Sequence, residues 1–466
     1  MTTREHRRRG RRILGLTFDG KPIYEPSANA SGLIIAAMGG GKTTCGAMPA
    51  IQSLLADRDQ ALFVNDVKDG EIAAQIAALC KAYGRKFGIV DPYAVLGADN
   101  PHRIELNPLS AVQVADSEGH VDVPVILDKV TNTLIEEPSG DERNRYWRES
   151  PRDFLHTASR IVLAHNPRLL TPGGLYAMLA DPHTWGSALA CEAADPDSAQ
   201  RCDAQRLLAL KTDNAEHYTQ HLNAAVSALR LFAYSPLDED GRRAELTHAE
   251  LLRDGWVVCL IAPARLADRL GSYFALHTLS AMEAQLTAGS GRACFVLDEF
   301  CNAPLREAVT KITLFRAYGL KCLYIAQSRQ DAVRRYGERE IATLEENCTV
   351  KQWFKVSNFE EAERLSRAIG EAVSVTSSLG LSTEQPALST TLNTGRQRLF
   401  TPYELMSLPD DEQILHVAGL GFVHCRKIRQ NQIAPSCNLL GDNPLEGGRL
   451  TPDPKVWLDA GTEETP

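Results

Sequence analysis

Residues 31 to 48, SGLIIAAMGGGKTTCGAM, restrict the fold more than any other stretch of the chain. An apolar run at 33–37 meets Gly39, Gly40 and Gly41, then Lys42, Thr43 and Thr44, then a helix-compatible segment. The order reads as strand, phosphate-binding loop, helix. Glycines carry no Cβ, so backbone N–H groups can close around a phosphate. The following helix points its N-terminus at the same anion. In that arrangement Lys42 reaches the terminal phosphates and the Thr43 hydroxyl holds Mg²⁺. The pattern G-x-x-x-x-G-K-[ST] has Ala36 where its first glycine stands.

The flanking chain alternates. Residues 61 to 67, ALFVNDV, read as a buried strand leading through Lys68-Asp69-Gly70-Glu71 into a helix over 72–83, with Gly84 at its C-cap. Residues 86 to 92 are the next strand. Strand, helix, strand, helix, strand predicts a parallel sheet covered by helices. From 109 to 234 the period is helical instead, over 123–135, 146–164, 173–179 and 204–231. Turns at Pro138-Ser139-Gly140, Thr171-Pro172-Gly173-Gly174 and Asp195-Pro196-Asp197 divide these segments, which predicts an inserted all-α domain. Alternation resumes with a strand at 256–263, a helix at 270–286, strands at 293–297 and 321–326 around a helix at 305–318, a strand at 349–356 and a helix at 359–369 capped by Gly370. Residues 371 to 397, rich in Ser, Thr and Gly, read as a loop or hairpin extension; 413–417 and 421–428 read as a closing strand pair.

The expected partition is a basic arm and short hairpin (1–30, turning at Asp19-Gly20), a nucleotide-binding domain in two parts (31–108 and 236–440), the all-α domain between them (109–235) and a flexible tail (441–466). A net charge of −9 argues against a general polyanion coat and leaves room for a local basic channel. The eleven cysteines form no C-x-x-C pair, which favours buried reduced thiols over a disulfide frame or a zinc site. The start, MTTREHRRRGRR, precedes no apolar signal core, and no window encodes a transmembrane helix. The arginine run is either a solvated arm or a contact for anionic lipid or nucleic acid.

Residues 294 to 299, CFVLDE, are an apolar strand ending in two acids. After a phosphate loop this is the Walker B arrangement: Asp298 holds Mg²⁺, directly or through water, and Glu299 orients or deprotonates the attacking water. Gln327, at the tip of the next strand, either bonds the γ-phosphate or lytic water or is a solvated strand end. Arg316 is either a surface residue or an arginine finger reaching a neighbour's γ-phosphate. Asp66 and Lys68 read as a charged loop bridge.

With these pieces placed, the chain resembles the type IV secretion coupling proteins, the hexameric ATPases of bacterial conjugation and related effector export. The resemblance lies in ordered blocks over most of 32–430: the phosphate loop; Val64-Asn65-Asp66-Val67-Lys68-Asp69-Gly70-Glu71, like the family's D-x-K-G-E with Asp69 inserted; Val90-Asp91-Pro92; Leu106-Asn107-Pro108-Leu109; Tyr146-Trp147; Leu297-Asp298-Glu299-Phe300; Arg316 with Ala326-Gln327-Ser328; and Thr401-Pro402-Tyr403-Glu404-Leu405 with Leu408-Pro409. It implies an α/β fold, a RecA-like P-loop domain on a mainly parallel twisted sheet with an inserted all-α domain. It also implies ATP and Mg²⁺ bound between the subunits of a homo-hexamer. The cargo would be relaxosome DNA or a protein effector. The implied setting is cytoplasmic, peripheral to the bacterial inner membrane, beside channel components or a membrane adaptor. Family members carry N-terminal membrane helices, and here the phosphate loop begins after only about 35 residues; this reads as a member without those helices or as a soluble piece. Two other functions compete: a septal-translocase-like DNA motor, and a nucleotide-gated receptor scaffold with little hydrolysis. The helical insertion disfavours the first. Lys42, Asp298 and Glu299 disfavour the second.

Overall fold

The computed structural model describes residues 10–137, 141–288, 291–381 and 388–458. The arginine-rich start at 1–9, the Pro138-Ser139-Gly140 turn and the last residues, 459–466, lie outside the described residues. Its strands are β1 (Ile13–Leu16), β2 (Pro22–Tyr24), β3 (Gly32–Ile35), β4 (Gln60–Asp66), β5 (Phe87–Val90), β6 (Val257–Ile261), β7 (Arg292–Leu297), β8 (Leu320–Ala326), β9 (Val350–Trp353), β10 (Glu371–Leu381), β11 (Leu388–Arg398), β12 (Glu412–Val417), β13 (Gly421–Arg426), β14 (Ile433–Ala434) and β15 (Val456–Trp457).

Eleven of them form one sheet, in the order β2-β1-β13-β12-β9-β3-β8-β7-β4-β6-β5. From β9 to β5 every neighbouring pair is parallel; β12, β13, β1 and β2 close one side antiparallel. The parallel strands read as unbroken apolar runs because both faces are covered. Leu33, Ile35, Phe63 and Phe295 point into one core, with the helix Gly271–Ala288 and the inserted helices. Ile34, Leu62, Val64 and Val296 point into the other, under the helices Met48–Leu55 and Glu71–Ala82.

Register places the functional ends. Ile35 lies between Ala326 of β8 and Trp353 of β9, while Leu297 of β7 is level with Tyr324. The chain therefore leaves β3, β8 and β7 on one rim, at the carboxyl ends of parallel strands where ligands of such sheets sit.

Between β5 and β6 the described residues form helices, Ser110–Ser117, Val123–Leu134, Arg145–His165, Pro172–Ala180, Pro182–Ala194, Arg201–Asp213, Ala215–Leu229, Pro236–Arg243 and His248–Arg253, and no strand of the sheet. The period over 204–231 is two helices rather than one. Asn214 leaves helical geometry and its side chain accepts the His217 N–H at 3.1 Å, starting a new helix. The helix Pro182–Ala194, which the periodicity did not show, starts on Asp181, whose carboxylate accepts from His183 and Thr184.

The helix expected over 305–318 is broken into Arg306–Thr310, Ile312–Phe315 and a single turn, Arg316–Tyr318. Val309, Thr310, Ile312 and Thr313 are β-branched, which weakens the helix there. Residues 371 to 397 do form a hairpin, β10 against β11, paired from Glu371↔Arg398 to Leu381↔Leu388; its tip, 382–387, lies outside the described residues. The tail expected from 441 is in part packed chain. β15 pairs with β14, and Val456 joins the Ile13, Leu16, Ile428 and Ile433 cluster. Val456 is buried in that cluster and Leu458 packs against it, while Trp457 stays exposed, a signal outweighed in sequence by the polar surroundings.

Candidate nucleotide-binding site

The loop after β3 is built by close approach. Ala36 continues the ladder, donating its N–H to the Ala326 carbonyl at 3.1 Å, with its methyl wholly buried and no positive φ. A Cβ therefore fits at the first loop position. Gly39 and Gly41 turn through the left-handed region at φ 72° and 87°, where only glycine is unstrained. A Cβ on Gly40 would stand 2.9 Å from the Ala37 carbonyl oxygen. The chain then winds into Lys42–Ala47, a π-type turn, and on into Met48–Leu55, with no side chain capping the helix start. First-turn N–H groups without a side-chain cap favour an anion.

Opposing charges converge on this loop. The Lys42 ammonium is ion-paired to the Glu299 carboxylate. Lys68 Nζ lies 3.5 Å from Glu299 Oε1 and 3.7 Å from Asp298 Oδ2. Burial pushes the Asp298 carboxyl up from its ordinary range, with Lys68 pulling the other way. Burial opposes the Lys68 ammonium, yet Asp298, Glu299 and Glu71 together hold its pKa above the ordinary lysine value. Glu299 itself adopts φ 49°, a left-handed backbone that is strained for glutamate by about 1–3 kcal/mol. That turn carries the carboxylate from the end of β7 to Lys42.

A second layer fixes these groups. Asp66, at the end of β4, accepts the N–H groups of Ile72 and Ala73, each at 2.8 Å, and so caps the helix Glu71–Ala82. Burial pushes its carboxyl up to about 8, against those two bonds and with Asp298 and Glu71 nearby. Thr43 Oγ1 is 3.4 Å from Glu71 Oε2, and Asn443 donates to the other Glu71 oxygen at 2.9 Å. Asp69, at φ 51°, ties the inserted position to the end of β6 by accepting the Ala264 N–H at 2.8 Å. Lys427, beyond β13, donates to the Gly40 carbonyl and the Asp410 carbonyl, both at 3.0 Å, and lies over the Phe354 ring.

Gly39, Gly40, Gly41, Lys42 and Thr43 are thus brought to the same rim as Asp298 and Glu299. Thr44 follows in the helix, its hydroxyl beside Cys45 Sγ. Gln327 is the first residue past β8, exposed on that rim. Arg316 is exposed at the other end of β8, before Leu320. Seven strand residues separate the two ends, about 23 Å, so Arg316 is not at its own chain's site. Lys68, Glu71 and Lys427 were missing from the sequence-derived site. The strand-end stretch Asp66-x-Lys68-x-x-Glu71 carries the first two. Nothing local marks Lys427, which meets the loop only through the closing strands.

Among the described residues no three His, Cys, Asp or Glu side chains converge as a metal cage. Mg²⁺ keeps water and substrate phosphates in most of its coordination positions, so it needs few protein oxygens, and a hydroxyl (Thr43) and a buried carboxylate (Asp298) on this rim are donors of the right kind.

The sheet, the loop after β3 and the acid-tipped strand β7, with β8 between them, define a P-loop nucleoside triphosphatase of the RecA-like kind. The family described as "Type IV secretory system Conjugative DNA transfer" matches residues 5–433. The chain belongs to that family, the coupling ATPases of type IV secretion. Its fold is similar to the plasmid coupling protein TrwB in complex with the ATP analogue ADPNP (TM-score 0.65, 17% identity, 89% of each chain). It is also similar to TrwB in complex with ADP and Mg²⁺ (0.60, 15%, 89% of each) and to the bacterial conjugative coupling protein TrwBdeltaN70 in an unbound form (0.62, 15%, 89% of each). None of the curated proteins matches the chain. Among the described residues no helix is long and apolar enough to cross a membrane.

Proposed function

We propose that this chain binds MgATP on the Gly39–Thr44 loop and couples its hydrolysis to recruiting DNA or protein cargo and driving it into a secretion channel. The observation that carries the reading is the Lys42–Glu299 ion pair beneath the loop, with Lys68 and Asp298 beside it. Two lysines are held by carboxylates where a polyphosphate would replace those carboxylates as partner. Lys42 is then free to bind the terminal phosphates, and Glu299 to accept a hydrogen bond from water and take its proton as the oxygen attacks Pγ and the bond from Pγ to the bridging oxygen breaks, releasing ADP. Thr43 and Asp298 would hold Mg²⁺, which would neutralise charge developing on the phosphate oxygens. Gln327 positions the γ-phosphate or the water from the end of β8.

Arg316 acts on a neighbouring subunit's nucleotide, in a homo-hexamer. Its place at the opposite end of β8 from Gln327 supports action in trans. The partition into two nucleotide-binding parts (31–108 and 236–440) around an all-α domain (109–235) belongs to the same reading, with the helical domain meeting cargo. Working at the inner face of the bacterial membrane, beside channel components or an adaptor, also belongs to it.

The test is capture from the native host with Glu299→Gln held in MgATP. Recovery of secretion-channel components with relaxosome DNA or effector protein supports the reading. Recovery of none of these from cells that assemble the channel contradicts it.

A further inference from the structure

Two strands end at the hydrolytic rim, and the chain beyond each of them returns to one cleft. After β7, residues 300–305 lead to the helix Arg306–Thr310. After β8, Gln327 and Ser328 lead to the helix Arg329–Tyr336, which Ser328 caps by accepting the Asp331 N–H at 3.0 Å. Arg306, Glu307, Arg335 and Tyr336 then line a cleft of about 930 Å³. The opposite wall includes Glu136 and Glu137, just past the inserted helix Val123–Leu134. Two contacts cross between the walls. Arg335 Nη2 lies 2.9 Å from Glu136 Oε1, and Arg306 Nη1 donates to the Glu137 carbonyl at 3.2 Å.

The two returns are tied together directly behind Glu299. Phe300, the next residue, is buried; its ring stacks on Tyr336 with 5.5 Å between centroids and meets Tyr324 edge-on at the same distance. Tyr336 Oη donates to the Phe300 carbonyl at 3.0 Å, and the Leu305 N–H is bonded to the same oxygen. One hydroxyl thus pins both ends of the 300–305 segment. Burial pushes that hydroxyl's pKa up, so it stays a donor at neutral pH. On its other sides the turn is held by the Asn302 N–H on the Glu299 carbonyl at 2.7 Å and by the Phe300 N–H on the Ile325 carbonyl at 3.2 Å. The left-handed backbone of Glu299 stores about 1–3 kcal/mol of strain. Leaving a buried carbonyl unpaired costs about the same, 1–3 kcal/mol. Loss of the Tyr336 hydroxyl is therefore enough to let the turn relax and move the carboxylate.

We infer that Tyr336 is a positioning residue for Glu299, and that the helix Arg329–Tyr336 relays the closing of the cleft by the inserted helices to the hydrolytic site. The helix begins beside Gln327, ends on the Phe300 carbonyl and carries in its last turn the arginine that reaches Glu136. A shift of the inserted helices at Arg335 thus acts on the backbone next to Glu299. The inference rests on the reading of Glu299 as the group that serves the attacking water. The Arg335–Glu136 pair is about two-fifths exposed on each side, so its loss costs little stability, and a change in turnover on breaking it reports position.

The test uses the full chain with MgATP, read by steady-state and single-turnover hydrolysis. Tyr336→Phe keeps the ring on Phe300 and removes only the hydroxyl; kcat should fall by about tenfold while KM stays within about twofold. In a Glu299→Gln background the same substitution should change the residual rate by less than about twofold, because the carboxylate it positions is already gone. A merely structural role would lower the rate alike in both backgrounds. Arg335→Glu sets two carboxylates face to face across the cleft and should lower kcat by about fivefold, and adding Glu136→Arg should restore it. Wild-type turnover in Tyr336→Phe or in Arg335→Glu, an equal loss in both backgrounds, or a loss that Glu136→Arg leaves in place overturns the inference. Wild-type turnover in Glu299→Gln alone would instead remove the reading of Glu299 on which it rests.

Discussion

The rim of the parallel sheet and the inserted helices handle charge in opposite ways. At the rim, Lys42, Lys68, Asp298 and Glu299 are drawn in from three strand ends and largely withdrawn from water, with Asp298 only 2% exposed. Around the inserted helices several ion pairs lie in solvent, such as Arg206–Asp153 and Arg145–Glu149, whereas Lys129–Glu283 is largely buried. Arg335 meets Glu136 at 2.9 Å with both side chains about two-fifths exposed, beside a polar cleft of about 930 Å³ between those helices and the sheet domain. Buried opposite charges cost desolvation and earn their place by specific geometry; exposed pairs are worth little. The first set is therefore poised to exchange partners when a polyanion arrives, and the second is surface that can be altered at small cost.

The largest break in this contrast is Lys42→Ala. MgATP turnover should fall to background and nucleotide affinity should drop, both read on purified protein; wild-type turnover would remove the loop from the mechanism. Next is Arg316→Ala, with turnover expected to fall by about 10³. Because Arg316 stands at the far end of β8, mixing Arg316→Ala subunits with Glu299→Gln subunits should restore part of the turnover. If Arg316→Ala alone keeps full activity, the finger is excluded.

A smaller effect is expected at Asp66. Its folded pKa, about 8, lies above the ordinary carboxyl value of about 3.9. The folded state therefore binds the extra proton, and the stability this gives is present in full below about pH 4 and lost as pH rises toward 8. Asp66→Asn keeps an acceptor for the Ile72 and Ala73 N–H groups and removes the titration. Denaturant unfolding of the nucleotide-free chain should show the wild type losing stability across that window relative to the variant; parallel pH profiles would contradict it. Smallest is Arg335→Ala, where unfolding should shift by no more than about 1 kcal/mol.

The parallel core and its loop were legible in the sequence because β3, β4, β7 and β8 are short apolar runs ending in chemically distinctive residues: Ala36 before the glycines, Asp66, Asp298 and Gln327. Lys68 was harder to place, since a lysine after a strand is usually a solvated bridge and only the fold of β4 beside β7 brings it to Asp298. Lys427 could not be read at all, because its partner, the Gly40 carbonyl, lies far away in sequence and meets it only after β12 and β13 close the sheet. The helical segments were right in kind but wrong in number and bounds: Pro182–Ala194 was not shown by the period, and one expected helix is two. Asn214 and Asp181 start helices by capping, and such a cap outweighs a continuing apolar period in deciding where one helix stops and the next begins.

In the function we propose, Glu299 occupies Lys42 until phosphate replaces it, and afterwards serves the attacking water. Equilibrium MgATP affinity and steady-state turnover of Glu299→Gln, set beside the wild type, test both halves at once. Loss of the carboxylate frees Lys42, so affinity should rise by about tenfold while turnover falls by about 10²–10³. Weaker binding, or turnover equal to the wild type, would contradict the claim.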